Sequence, residues 1–130
     1  LEAFEIWGVN RSRQRLNGMF AFALWDREKR QLHLVRDRMG KKPLYIGWAG
    51  KNFVFGSELK VFRAHPDFKP VLNRHALALY MRFGYVPAPY SIYEGVWQMP
   101  PGTRLSLVFD LIAAGDDLVR DCVPYWSMPR

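Results

Sequence analysis

Short apolar runs separated by polar turns fill the first half of the chain, and this pattern predicts β-strands. Residues 18–25 (GMFAFALW) are apolar at both odd and even positions, which predicts a strand covered on both faces rather than a surface strand. Further strands are predicted at 31–35, 43–48 and 53–55, with a tight connection at 49–52. Because the four segments follow one another closely, they predict an antiparallel meander.

Helical spacing replaces the strand pattern after residue 56. Ser57 is predicted to cap a short helix at 58–64, and Asn73 to cap a second helix, because both side chains can accept a hydrogen bond from a first-turn amide. Gly84 is predicted to end the second helix, since glycine readily takes the left-handed conformation of a C-terminal cap. Strands followed by helices predict an α+β fold, with an antiparallel sheet and packed helices.

The remaining segments have weaker patterns. A helix is predicted at 1–7, and a weakly alternating last strand at 103–109. Residues 85–101 contain four prolines among aromatic residues and are predicted to form an ordered, extended connection. Residues 110–130 show no clear periodicity. A doubly covered strand needs a layer on each face, and these segments supply few helices for that purpose, so the chain is predicted to be part of a domain.

Composition adds a packed core and a positive charge to this picture. The 130 residues are 49% hydrophobic and 15% aromatic, which is ample for one compact domain. The net charge of +7 is concentrated at 11–42, where ten basic residues stand against three acidic ones. Such a cluster can bind nucleic acid or an acidic partner, but solvated turns and strand edges explain it as well. The lack of any nucleic-acid-binding signature favours the second interpretation.

The sequence also bears on the compartment. No apolar run is long enough to span a membrane, and no signal-peptide pattern is present, so no membrane contact is predicted. A single cysteine excludes an internal disulfide framework and favours a reducing compartment. A cytoplasmic location is therefore predicted.

Residues able to carry chemistry are few and scattered. Cys122 has no histidine nearby in sequence to activate it. Ser57 lacks the G-x-S-x-G setting of an activated serine, and residues 40–43 lack the first glycine and the hydroxyl of a phosphate-binding loop. Three histidines stand too far apart in sequence to predict a metal site: His33, His65 and His75. No catalytic, substrate-binding or metal-binding residue is therefore predicted.

The densest group of polar residues is RDRMGKKPLYIG at 36–47, and it is predicted to be structural. Asp37 can accept hydrogen bonds from neighbouring arginines or turn amides, which would fix the bend between two strands. Gly40 can adopt a positive φ, and Pro43 presets the start of the next strand. The residues assigned to structural motifs are Arg36, Asp37, Gly40, Lys42, Pro43, Ser57 and Glu58.

Several ordered blocks resemble a known family. LNGMFAFALWD at 16–26, VRDRMGKKPLY at 35–45 and FGSELK at 55–60 resemble successive blocks of the glutamine-hydrolysing asparagine synthetases, in the later half of their class II glutamine amidotransferase domain. Two more blocks, at 82–89 and 92–102, resemble the stretch that leads towards the synthetase domain.

The resemblance also implies a domain division. Residues 1–107 correspond to the C-terminal part of the amidotransferase domain. Residues 108–130 form a tail leading towards an absent synthetase domain, and within it Pro124-Tyr125-Trp126 resembles a tyrosine-tryptophan pair that is typical of the family. Residues 108–123 match no familiar pattern.

The resemblance implies a four-layer α/β/β/α fold of the N-terminal-nucleophile hydrolase type. In that family an N-terminal cysteine attacks the glutamine amide and its own α-amino group acts as base. The family's cysteine and glutamine-binding residues lie before the stretch that matches Leu1, and Cys122 is internal. The chain is therefore expected to be a fragment that is inactive alone.

The resemblance further implies the reaction of a parent enzyme, in which glutamine hydrolysis supplies ammonia for amide formation on aspartate. No cofactor is expected in this chain, whereas ATP and magnesium are expected in the absent synthetase domain. An acceptor other than aspartate stays open, because acceptor choice belongs to that domain. Self-association through uncovered apolar surface is also expected. The alternative is a small basic, aromatic module that binds nucleic acid or a protein partner.

Overall fold

The chain forms two antiparallel sheets. We analysed a computed structural model, which describes residues 6, 8, 11, 12 and 15–128. Sheet A has the strand order β1-β2-β6-β7, and sheet B has the order β4-β3-β5. The strands of sheet A are β1 (Ala21–Asp26), β2 (Gln31–Arg36), β6 (Thr103–Val108) and β7 (Val123–Pro124). Those of sheet B are β3 (Tyr45–Ala49), β4 (Asn52–Gly56) and β5 (Val96–Gln98).

One hydrophobic core lies between the two sheets. Alternate residues of β2 and β6, such as Leu34 and Leu105, point into it from sheet A. Ile46 of β3 enters from sheet B, and Phe53 and Phe55 of β4 pack against the same cluster. Each sheet therefore buries one face against the other, as in a sandwich.

The predicted four-stranded meander is wrong. β2 pairs with β6, and β3 pairs with β4 and β5, so the segment between β2 and β3 crosses from one sheet to the other. The physical reason is burial: a single sheet would leave the apolar faces of all four strands to solvent, whereas two sheets cover them mutually. The tight connection at 49–52 is confirmed as the turn between β3 and β4.

The prediction that 18–25 forms the doubly covered strand is also wrong within the described structure. β1 is an edge strand, its Ala23 is exposed, and 46% of Trp25 remains accessible. The strand buried on both faces is β2. Its sequence, QLHLVR, did not predict burial on both faces, because two of its buried side chains, His33 and Arg36, are polar.

Two α-helices follow β4. Helix α1 (Lys60–Arg63) has Leu59 at its N-cap position and no side-chain cap, so the predicted cap at Ser57 is wrong. Phe62 is fully buried and lies over Gly47, on the face of sheet B away from the core. Only glycine fits there, because an added Cβ would lie 2.6 Å from the Gly95 carbonyl oxygen.

Helix α2 (Arg74–Phe83) has both predicted ends. The side chain of Asn73 accepts a hydrogen bond from the Ala76 amide at 3.1 Å, and Gly84 closes the helix with φ +76°. Both predictions are confirmed. Of the ten helical residues, only Ala76 is buried, so much of the helix surface faces a cleft or solvent.

Asn73→Ala is expected to destabilise the chain by about 1 kcal/mol, because the substitution removes the acceptor for a first-turn amide of α2. Chemical denaturation followed by circular dichroism measures the change. Ser57→Ala is the matched control, since α1 has no side-chain cap, and it is expected to leave stability within about 0.5 kcal/mol of the unchanged chain. Equal effects of the two substitutions would contradict this assignment of caps.

The segments with weak patterns are ordered as well. The predicted last strand is confirmed as β6, and β5 lies within residues 85–101, which were predicted to form an ordered, extended connection. A 3-10 helix, Leu118–Asp121, and β7 lie in the segment without periodicity. Leu118 is buried in the core, and the indole of Trp48 donates to the Asp116 carbonyl at 3.0 Å. Most of the helix predicted at 1–7 lies outside the described residues. Within the part of the chain that the structure describes, no helix is long and apolar enough to cross a membrane.

Candidate functional site

Residues 37–44 connect β2 of sheet A to β3 of sheet B, and we call this segment the crossing loop. The guanidinium of Arg36 holds it in place. This side chain is 4% exposed and donates to three backbone carbonyls. Its Nε donates to Lys42 at 2.9 Å, one terminal nitrogen donates to Gly40 at 2.7 Å, and the other donates to Met99. Arg36 therefore ties the end of β2 to the crossing loop and to the segment that follows β5.

Asp37 organises the same loop from the other side. Its carboxylate accepts hydrogen bonds from the amides of Met39, Lys41 and Lys42 at 3.1, 2.9 and 2.9 Å. Burial alone would raise the pKa of Asp37, but the amides of Lys42, Lys41, Phe20 and Met39 outweigh burial and hold the pKa below its usual value. The carboxylate is therefore charged and fixed in place at neutral pH.

Arg36 and Asp37 also act on each other. Burial lowers the pKa of Arg36 from its ordinary value, while Asp37 and then Tyr45 act in the opposite direction. Since an arginine side chain keeps its proton in proteins, the guanidinium remains charged at neutral pH. The pair places one positive and one negative charge side by side, and each is hydrogen-bonded by backbone groups.

The other residues assigned to the motif fall into two places. Gly40 has φ +64°, and a Cβ at this position would lie 2.8 Å from the Pro101 ring. Glycine is therefore required both by the backbone conformation and by the lack of space. Lys42 contributes its backbone, and Pro43 leads into β3. Ser57 and Glu58 are exposed at the approach to α1, where Glu58 forms an ion pair with Lys60 at 2.7 Å. The structure does not bring this second pair to the crossing loop.

Cys122 has the environment of a structural thiol. Burial, followed by the charge of Asp121, raises the pKa of Cys122 to about 12. Its Sγ donates to the Leu118 carbonyl at 3.8 Å. Because the thiolate is the nucleophilic form, a thiol with this pKa is inert at neutral pH.

The three histidines lie in separate places. His33 contacts Ser106, His65 lies against Asn52, and the ring of His75 packs edge-on against Tyr90. Among the described residues, no group of three or more His, Cys, Asp or Glu side chains could hold a metal ion.

His33 is expected to make stability depend on pH. Burial lowers the pKa of His33 from its ordinary value of 6.5, with Asp26 opposing the shift and Arg104 and Lys29 adding to it. The unfolded chain therefore binds a proton at a higher pH than the folded chain does, so stability is expected to fall as pH falls below about 6.5.

Urea denaturation between pH 7.5 and 5 measures this dependence. His33→Gln keeps a hydrogen-bonding group near Ser106 and removes the titration, so its stability is expected to fall less over the same range. An identical pH dependence in the two proteins would show that His33 does not couple to folding.

The basic cluster predicted from the sequence is divided among different roles. Arg36 is buried, Lys29 lies 3.8 Å from Asp26, and Arg30 lies 3.1 Å from Asp110. The ion pairs are exposed and add little stability, but they reduce the local positive charge.

An open cleft of about 840 Å³ is the feature that sequence reasoning missed. One side of the cleft is formed by α2 and the segment that follows it, and the other by the end of sheet B. Its lining is mostly apolar and aromatic. The sequence feature that could have indicated the cleft is the apolar face of α2. Leu77 and Tyr80 share one side of that helix, yet both stay exposed. Small-molecule sites in proteins are typically clefts lined mostly by apolar and aromatic side chains, as this one is.

Two facing antiparallel sheets with few helices are consistent with an N-terminal-nucleophile hydrolase fold. The family model of the glutamine amidotransferase domain matches residues 1–116. The chain therefore belongs to the glutamine amidotransferase domain family.

Curated relatives carry the name of one group of enzymes. The chain is 37% identical over 118 residues to a putative glutamine-hydrolyzing asparagine synthetase 2 of Methanocaldococcus jannaschii, a match that covers 89% of this chain and 22% of the relative. It is 38% identical over 96 residues to asparagine synthetase 3 of Bacillus subtilis, covering 73% of this chain and 16% of the relative. A putative asparagine synthetase of Mycobacterium bovis is 34% identical over 116 residues, covering 87% and 18%. The chain thus spans about a fifth of the length of these relatives.

Proposed function

We propose that this chain is the scaffold portion of a glutamine amidotransferase domain in an asparagine-synthetase-like enzyme. The whole enzyme would hydrolyse glutamine and use the ammonia for ATP-dependent amide formation on aspartate. The observation that carries the proposal is the family match over residues 1–116, together with relatives that are named glutamine-hydrolyzing asparagine synthetases. Sheets A and B would be the two inner layers of a four-layer α/β/β/α arrangement, and the enzyme would act in the cytoplasm.

The residues described here support a positioning role in that reaction. Acyl transfer from glutamine needs an activated nucleophile and hydrogen-bond donors for the oxyanion. Cys122 does not suit the first task, because its pKa is raised to about 12 and its thiol is bonded to a backbone carbonyl. The Arg36–Asp37 crossing instead fixes the relative position of the two sheets. The isolated 130-residue polypeptide is accordingly proposed to be inactive.

ATP and magnesium belong to the synthetase step of the proposed reaction. The described residues do not fit either group, since the sequence has no phosphate-binding loop and the described side chains form no carboxylate cluster of the kind that holds a divalent ion. The proposal therefore assigns both to residues other than those described here, and no step involving them is derived.

A chimeric enzyme tests the proposal. The residues of the Bacillus subtilis relative that match this chain are replaced by the corresponding residues of this chain, and asparagine formation is measured with glutamine or with ammonium as nitrogen donor. Glutamine-dependent synthesis is expected to stay within about tenfold of the parent's, because the scaffold residues are retained and the parent supplies the nucleophile. Cys122→Ala within the chimera is expected to change nothing.

The two nitrogen donors separate misfolding from a wrong assignment. Loss of both activities would mean that the chimera is not folded, and circular dichroism would confirm it. Ammonium-dependent synthesis without glutamine-dependent synthesis, in a folded chimera, would contradict the proposed role of this chain.

A further inference from the structure

The cleft beside sheet B has a polar corner and an apolar wall. Tyr45 and Gln98 are cross-strand partners in the register of β3 and β5, so their side chains stand next to each other on the face away from the core. Arg36 lines the same side of the cleft. The opposite wall comes from α2 and includes Leu77 and Tyr80.

The polar corner has unused capacity to donate hydrogen bonds. An arginine has five N–H donors, and three of those on Arg36 bind carbonyl groups, which leaves two with no acceptor among the described residues. No described hydrogen bond uses the Tyr45 hydroxyl or the Gln98 side chain. Asp37, the nearest opposite charge along the chain, directs its carboxylate to loop amides instead.

The charge of the lining selects the sign of a ligand. Arg36 is the one charged side chain among the described residues that line the cleft, and no acidic side chain is among them. A ligand carboxylate would meet a planar guanidinium, a phenol and an amide, all of which can donate to it. An ammonium group would meet the fixed positive charge of Arg36, and the lining offers it no acidic side chain as a partner.

The apolar wall selects the body of a ligand. Leu72, Leu77 and Tyr80 retain 55%, 40% and 49% of their accessible surface. Covering such side chains with an apolar group is favourable, because it removes apolar surface from water. The cleft volume of about 840 Å³ lies in the range of small-molecule sites in proteins.

We propose that this cleft binds a small carboxylate with an apolar or aromatic body. The carboxylate accepts hydrogen bonds from Arg36, Tyr45 and Gln98, and the body lies against Leu77 and Tyr80. The binding test below does not depend on glutamine hydrolysis, so the proposal stands or falls independently of the proposed function.

Titration of the 130-residue chain with 4-phenylbutyrate tests the proposal. Binding is followed by amide chemical shifts in two-dimensional NMR at about 0.15 M salt, which screens non-specific attraction to the net positive charge. Saturable shifts are expected at Tyr45, Gln98 and Leu77. 4-Phenylbutan-1-ol, with the same body and no charge, is expected to bind about tenfold more weakly, and acetate, with no body, is expected to show no saturation.

Matched variants locate the head group. Tyr45→Phe is expected to weaken 4-phenylbutyrate several-fold and to leave the alcohol unchanged, because it removes one donor and keeps the ring. Tyr93→Phe, outside the cleft lining, is the control and is expected to change neither. Leu77→Asp is expected to abolish binding of the carboxylate. Arg36 is not substituted, since it also holds the crossing loop.

Three results would overturn the proposal. Equal affinity for the carboxylate and the alcohol would remove the polar corner as a recognition element. Saturable shifts centred on Trp25 and Phe109, rather than on the cleft, would place the binding elsewhere. The absence of saturable binding in a chain that gives a folded spectrum would remove the site altogether.

Discussion

Asp37→Ala is expected to destabilise the chain by about 3 kcal/mol at neutral pH, near the top of the usual range for losing a buried charged acceptor. Three loop amides lose their acceptor at once, and the side chain they bind is only 1% exposed. The buried guanidinium of Arg36 also loses the neighbouring charge that favours its ionised form. For a chain of this size, the loss corresponds to a fall in Tm of about 10 °C.

A matched control is available at the surface. Asp110→Ala removes an exposed ion pair with Arg30, whose side chains are both 61% accessible, and is expected to cost less than about 0.5 kcal/mol. Urea denaturation of both variants and the unchanged chain measures the difference. If Asp37→Ala melts like Asp110→Ala, the carboxylate does not brace the loop.

The pH dependence of Asp37→Ala provides a second measurement. Because the folded pKa of Asp37 is lowered, its contribution to stability is present above the unfolded value of 3.8 and is lost as pH falls through the folded pKa. The unchanged chain is therefore expected to lose more stability than the variant between pH 5 and pH 2. A parallel loss in both proteins would assign acid sensitivity to other groups.

Glutaminase activity is expected to appear when this chain is co-expressed with the N-terminal segment of a relative's amidotransferase domain. The structural argument lies at β1, an edge strand within the described residues whose Ala23 and Trp25 are exposed although they point to the core side of sheet A. Exposed apolar edges favour pairing with further strands. The N-terminal segment would cover this edge and bring its cysteine, so activity at least about 100-fold above either piece is expected. This prediction depends on the proposed function.

The controls separate assembly from chemistry. Substituting the N-terminal cysteine of the added segment should abolish activity and leave the complex intact in sedimentation, whereas Cys122→Ala should preserve both. Trp25→Asp should prevent assembly, and Met81→Asp, at an exposed position on α2, should not. The chain alone is expected to self-associate and to bind a hydrophobic probe dye. A chain that is monomeric, binds no dye and ignores the added segment would contradict the expectation.

The sequence predicted much of the local structure, because local signals depend on a few neighbouring residues. The N-terminal cap of α2 depends on Asn73, whose side chain accepts a hydrogen bond from the amide three residues later. The end of the helix depends on Gly84, which tolerates a positive φ. The tight turn between β3 and β4 and the strand β6 have similarly local causes. The missing cap of α1 shows the limit of such signals, since Ser57 had the right chemistry but the helix starts at Lys60, three residues beyond it.

Strand pairing required the tertiary structure. Apolar alternation shows that a strand has a face to bury, but it does not show which other strand covers that face. The same strands could therefore form either the predicted meander or the two observed sheets. The proline-rich segment that contributes β5 pairs with β3 across about fifty residues of sequence, and no local pattern reports a contact of that range.

The sequence by itself determined the family and the ordered motif blocks, because these follow from residue identity and order. Only the tertiary structure decided that Arg36 and Asp37 hold the crossing between two sheets, that β2 rather than β1 is buried on both faces, and that Tyr45, Gln98 and α2 enclose a cleft. The physical reason is that burial and hydrogen bonding depend on which distant segments meet. A charged side chain can be placed in the interior when backbone groups from those segments surround it.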